Sequence, residues 1–209
     1  MKLQFTLAQK IPYSETNNSF VVERGDSLYK VLAKLEEIYE IEDTYWVKLK
    51  YIFRDSPVIK AGRYNIFRDS TLESLIDRFI AGDVEKFKFT IIEGTVASQN
   101  IAELEEILLE NNLPFEVPKQ VIDIFSSEAS ILPDTYFFSD EDDLIKVLDD
   151  SKISLQDYVQ NVWKEKPPEN PLKNVSEALV LASIIEREAL LSSEQTIIAS
   201  VFLARLKIG

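Results

Sequence analysis

Apolar residues at 28, 31, 32, 35 and 38 recur at the spacing of one helix face, directly after Arg24-Gly25-Asp26-Ser27, which offers a turn and an N-cap. Phe20-Val21-Val22 just before it is a short β-like run, so this stretch predicts strand, turn and amphipathic helix. A second helix is expected over about 43–53, with Tyr45, Trp46, Leu49 and Ile52 at helical spacing, and Pro57 closes it. Lys60 to Ile66 reads as a turn into a second strand. Ser70-Thr71-Leu72-Glu73 fits a capping box, in which a hydroxyl and a carboxylate satisfy orphan amides reciprocally, and the helix it opens runs to Gly82 as C-cap. Phe87 to Ile92 alternates as a third strand and ends at Glu93-Gly94.

From Ser98 the pattern becomes almost wholly helical, with helices expected over about 98–112, 118–126, 140–150 and 154–164 and Pro114, Pro118 and Pro133 as punctuation. Lys166 to Pro171 is a stiff Pro-rich connector. Ser176 is the expected cap of a helix whose residues Ala178 to Ile185 are apolar almost all round, a pattern that predicts burial on most sides. The change near residue 84 predicts an α+β chain: a small strand-and-helix module over 1–84, then a mainly helical domain over 85–209.

Composition narrows the chemistry. Of the 209 residues 45% are hydrophobic, enough for a core, and 23 basic residues against 36 acidic ones leave a net charge of −13. That charge repels nucleic-acid phosphates and anionic membrane faces, which excludes a nucleic-acid binder. With no Cys there is no disulfide or thiolate nucleophile, and with no His there is no imidazole base or ordinary zinc site. Catalysis would have to use carboxylates, hydroxyls, amines or a borrowed cofactor. The longest nearly apolar stretch, Ala178 to Ile185, is far shorter than the roughly 20 residues that cross a bilayer, and Met1 to Pro12 lacks the apolar run of a signal peptide.

Two carboxylates stand out at the end of that apolar helix, in Glu186-Arg187-Glu188. At about 100° per residue they lie roughly 200° apart and cannot serve one site as neighbours. Glu188 stands over Leu181, Ile184 and Ile185; Glu186 stands over Leu179, Ala182 and Ser183. A bulky apolar ridge facing a cleft would desolvate Glu188 and raise its pKa, as a general acid requires. The competing reading is a pair of solvated charges at a helix end. Tyr136 beside Asp134 suits a sugar cleft, and Thr-Tyr-Phe-Phe equally suits a core strand or turn. Asp140-Glu141-Asp142-Asp143 lacks the spaced ligands of a calcium loop and reads as a solvated helix start, so no metal site is expected. Ser192 with Gln195 fits a further capping box.

The stretch Glu177 to Glu188, followed by Ser193-Glu194 and by Ile198 to Gly209, resembles the signature of the MltG/YceG-like endolytic murein transglycosylases. Phe89-Thr-Ile-Ile-Glu-Gly94 is similar to the strand that leads into that family's catalytic domain, and Leu132-Pro-Asp-Thr-Tyr136 to its central Pro-Asp-Thr-Tyr element, with Glu128 just upstream. The first eighty-odd residues resemble the LysM-like module ahead of it. The resemblance implies a cofactor-free enzyme in which one Glu protonates the glycosidic oxygen between N-acetylmuramic acid and N-acetylglucosamine, then acts as base on the muramyl C6 hydroxyl. It implies Glu188 in that role, with Glu186 second, and Tyr136, Asp134 and Glu128 as substrate-binding residues.

The implied partners are peptidoglycan strands and the cell-wall synthesis machinery, and the implied place of the full-length protein is the cell envelope, at the periplasmic or extracytoplasmic face of the inner membrane. The membrane anchor expected upstream is missing from this chain. So is the Gln-x-Asp-Pro-Thr segment expected after the Arg-Leu-x-x-Gly of residues 205–209, and the chain reads as a soluble, partial catalytic domain. Ala204 and Ala129 stand where the family usually has Asn and Gly. The alternative is a non-catalytic wall-binding or scaffold protein. An older label of the family, aminodeoxychorismate lyase, would need a Schiff-base lysine and a phosphate cradle, and five glycines without a Gly-rich loop argue against it.

Overall fold

A Ser hydroxyl, an αL glycine and a short aromatic strand fix the frame of the first part of the chain. The structure, a computed structural model, describes residues 2–15, 18–52, 57–127 and 129–208. The chain divides into two compact units, Met1–Lys86 and Phe87–Gly209, and its architecture is α+β.

The first unit runs α1 (Lys2–Leu7), β1 (Ser19–Val22), α2 (Leu28–Tyr39), α3 (Tyr45–Ile52), β2 (Gly62–Asn65) and α4 (Leu72–Ala81). β1 and β2 pair antiparallel, Phe20 opposite Tyr64 and Val22 opposite Gly62. Gly62 has a positive φ of 145°, and a Cβ there would come within 2.5 Å of Val84 Cγ1, so only glycine lets the strand pass. Ser27 caps α2 by accepting the Lys30 N–H. Of the predicted face, Leu28, Val31, Leu32 and Leu35 are buried, whereas Ile38 is exposed and Tyr39 takes the inward position. Among the described side chains of α3 Val47 is buried, and Tyr45 points to solvent. Phe53, at the end of the predicted second helix, lies outside the described residues. α1 had no counterpart in the sequence pattern.

The capping box before α4 sits one residue later than expected. Thr71 Oγ1 accepts the Ser74 N–H and Ser74 Oγ accepts the Thr71 N–H, while Glu73 takes no part. Ser70 is drawn into the interior instead: its carbonyl accepts the Ile11 N–H and its hydroxyl accepts the Phe67 N–H. Gly82 closes α4 in the left-handed conformation, donating its N–H to the Arg78 carbonyl.

A small ion network braces the β1–α2 turn. The Asp26 side chain is 1% exposed and meets Lys30 Nζ at 2.7 Å and Lys34 Nζ at 2.8 Å, and it also accepts the Glu23 N–H. Lys30, then Lys34, hold the carboxyl down at about 2, against an ordinary 3.8. A depressed folded-state pKa gives stability that is complete above the unfolded value and lost as pH falls through the folded one. Asp26→Asn is expected to cost about 1–2 kcal/mol at neutral pH, a figure discounted because Lys30 is largely exposed. Urea denaturation should show the gap between wild type and variant closing as pH drops from about 4 to about 2; a gap constant across that range would overturn the assignment.

The second unit runs β3 (Phe87–Thr90), α5 (Ala97–Glu110), α6 (Lys119–Phe125), β4 (Thr135–Phe138), α7 (Glu141–Lys164), α8 (Val175–Glu188) and α9 (Ser192–Ile208). β3 pairs antiparallel with β4, Phe87 opposite Phe138 and Phe89 opposite Tyr136. Phe87, Phe89 and Phe138 meet Leu104 and Leu108 of α5, Val121, Ile124 and Phe125 of α6, and Leu144 and Leu148 of α7 in one core. The run after Ser98 is therefore interrupted by a strand. Four residues of β-branched and aromatic type are too short to show a period, and their pairing with β3 decides them.

The predicted helices over 140–150 and 154–164 are one, because both serines between them have helical roles. Ser151 is buried and accepts the Leu132 N–H, and Ser154 donates back to the Asp150 carbonyl. The acidic run opens α7 as expected: Asp140 accepts the Asp143 N–H. α8 begins earlier than expected, capped by Asn174, which accepts the Glu177 N–H, rather than by Ser176; the Glu177 carboxylate accepts the Lys173 N–H. At α9 it is Glu194 that reaches back, to the Leu191 N–H, and the Ser192–Gln195 box does not form. The expected burial of α8 on most sides is not found. Leu181 alone of its residues is buried, and no described residue of α9 is. α8 packs on α9 and on α7, and its remaining apolar surface meets solvent. Among the described residues no helix is long and apolar enough to cross a membrane.

Candidate functional site

Asn174 starts α8, and 14 residues later the helix delivers Glu186 and Glu188 to its last turn. Ala189 caps the end by donating its N–H to the Ile185 carbonyl, and the chain turns through 189–191 into α9. Both carboxylates are solvent-exposed, and their settings differ. Glu186 Oε2 accepts a hydrogen bond from Gln195 Nε2 at 3.1 Å, and its Cγ lies 3.9 Å from where a Cβ on Gly94 would be. Gly94, at φ +75°, ends the turn after β3, so Glu186 lies between α9 and that turn. The Glu188 side chain makes no hydrogen bond or ion pair among the described residues and is free to meet a ligand. Beneath it the ridge is graded: Leu181 buried, Ile185 half-buried and Ile184 37% exposed.

The second group of predicted residues gathers around β4. Asp134 accepts the Thr135 N–H through its carboxylate and the Ile91 N–H through its carbonyl, fixing the start of the strand. The Tyr136 hydroxyl donates to the Leu132 carbonyl and shares a 2.6 Å hydrogen bond with Ser151 Oγ. Burial pushes the Tyr136 phenol above its ordinary pKa. Asp134 and Tyr136 line one open recess with residues of α7. No hydrogen bond or ion pair joins them to Glu188. Glu128 lies outside the described residues. Gln195 and Ser151 were missed as partners: the first reads as a helix cap, the second as a break, and only long-range packing shows either role.

The profile of the YceG-like family matches residues 20–209, nearly the whole chain. The chain belongs to the YceG-like family. An endolytic murein transglycosylase from Bacillus subtilis (strain 168) is 25% identical over 219 residues, covering 93% of this chain. This YceG-like chain spans 60% of the length of that relative. A crystal structure of a yceG-like protein from Listeria monocytogenes aligns at a TM-score of 0.39 and 18% identity, over 88% of this chain and 69% of that one.

Proposed function

We propose that this YceG-like chain is part of an endolytic peptidoglycan transglycosylase that cleaves the bond between N-acetylmuramic acid and N-acetylglucosamine, with Glu188 as acid and then base. The observation that carries the reading is a carboxylate with no partner of its own, held at a helix end above an apolar ridge, in a chain whose Bacillus relative bears that activity in its name. Protonated Glu188 gives its proton to the glycosidic oxygen as the bond to muramyl C1 breaks. The carboxylate then takes the proton of the muramyl C6 hydroxyl as that oxygen bonds to C1, leaving a 1,6-anhydro end. The proton returns to Glu188 and no water is consumed, which suits a chain without His. This differs from hydrolases that need two carboxylates about a bond and a water.

The first unit, with its β1–α2–α3–β2 order, is proposed as a LysM-like glycan-holding module. Asp134 and Glu128 are proposed substrate contacts. Tyr136 acts through its ring, since its hydroxyl is engaged within the protein. The proposed setting is the outer face of the inner membrane, alongside wall-synthesis proteins.

The Glu188 side chain is open to solvent. The glycan also needs an opposite wall to hold its oxygen within about 3 Å. The 209-residue chain alone is therefore expected to release no 1,6-anhydro sugars from purified peptidoglycan, and a form extended through a Gln-x-Asp-Pro-Thr segment to release them. Mass spectrometry of the two digests decides it: no anhydro product from the extended form would favour the wall-binding scaffold.

A further inference from the structure

The recess between α7 and the segment leading into β4 has a volume of about 300 Å³. Val147, Asp150 and Ser151 reach it from one face of α7, at i, i+3 and i+4, and Leu132, Asp134 and Tyr136 from the opposite side. Its hydroxyls are engaged: Tyr136 and Ser151 bond to each other and to the backbone of Leu132, and Ser154, one turn further along α7, donates to the Asp150 carbonyl. What remains for a ligand is an apolar floor, Leu132 and Val147, and two carboxylates. Neither Asp134 nor Asp150 forms an ion pair among the described residues.

Carboxylates at neutral pH only accept, so the ligand must donate. Charge separates the possible donors. Residues 87–209 hold 10 of the 23 basic residues and 22 of the 36 acidic ones, which places −12 of the net −13 in this unit. Two unpaired anions in that field favour a cation over a neutral hydroxyl, and the apolar floor suits a methylene stem behind the charge. We propose that this recess binds an aliphatic primary ammonium, the group that a diamino acid of a wall peptide presents. The ligand class follows from the recess; only its assignment to wall peptide rests on the transglycosylase reading above.

The test is a titration of the ¹⁵N-labelled 209-residue protein with muramyl tripeptide ending in L-lysine, followed by amide chemical shifts. Shifts are expected within 132–136 and 147–154. Acetylating the lysine ε-amine, or Asp150→Asn, is expected to weaken binding about three- to tenfold, as for loss of one charge-assisted contact at a half-open site. Tighter binding of the tripeptide than of 1,5-diaminopentane assigns the recess to wall peptide, and equal binding assigns it to free amines. Equal affinity for the acetylated probe, no effect of Asp150→Asn, or shifts confined to other residues would overturn the proposal. The titration involves no bond cleavage, so a failure to release anhydro sugars leaves its result standing, and the reverse holds too.

Discussion

Glu188→Gln, made in a form of the protein that releases 1,6-anhydro ends, is expected to cut that release by about 10²–10⁴-fold, the usual contribution of a positioned acid–base group. The amide keeps the size and polarity of the carboxyl but can neither give up a proton at neutral pH nor take one. Since the Glu188 side chain is exposed and makes no hydrogen bond among the described residues, the thermal midpoint should stay within about 1 °C of wild type. Activity lost without stability lost is the signature sought. Glu186→Gln is the control for the choice between the two: its carboxylate is tied to Gln195, and the amide can still accept that hydrogen bond. If Glu186→Gln abolishes release and Glu188→Gln does not, the roles are exchanged.

Phe79→Ala should be the most damaging single truncation in the first unit. Phe79 is fully buried on α4, 4.7 Å from the Tyr64 ring in a T-shaped contact and 5.7 Å from Phe20, so it joins the helix to both strands. Removing a buried phenyl costs about 3–5 kcal/mol through lost transfer energy and the cavity left behind. For a unit this small that is a large share of total stability, about 5–15 kcal/mol in most domains. Urea denaturation in a Trp163→Phe background, where fluorescence comes from Trp46 of the first unit alone, should show the midpoint falling steeply. Phe137→Ala is the contrast. Phe137 lies on the outward side of β4, 53% exposed, and should change stability by less than about 0.5 kcal/mol. A comparable loss in both would mean that the core has been placed wrongly.

How far the sequence could be read varied with the range of the interactions involved. The face of α2 from Leu28 to Leu35, its Ser27 cap and the Gly82 stop depend on residues within one or two turns and stand as the pattern suggests, whereas at the end of the helix Tyr39 replaces Ile38 on the inward side. The cap of α4 moved from Ser70 to Thr71 because Ser70 is bound by residue 11, far away in sequence. β4 was ambiguous until β3 was there to pair with it, and Ser151 looked like an interruption until Tyr136 and Leu132 were seen against it. At the candidate site, the ridge under Glu188 was legible, and the openness around it was not. An apolar helix announces that it needs cover; its sequence does not say what supplies it.

That shortage of cover sets the timescale on which the α8–α9 hairpin holds its shape. Protection of backbone amides follows buried apolar contact, and this pair, with only Leu181 buried, has little beyond its own helical hydrogen bonds. Its amides should therefore exchange through local opening, well before the cores around Phe79 and Phe89 come apart. Glu188 would then sit on one of the least persistent parts of the molecule. Whatever covers the hairpin would both slow its opening and fix the direction of that carboxylate, so that ordering and activation become a single event.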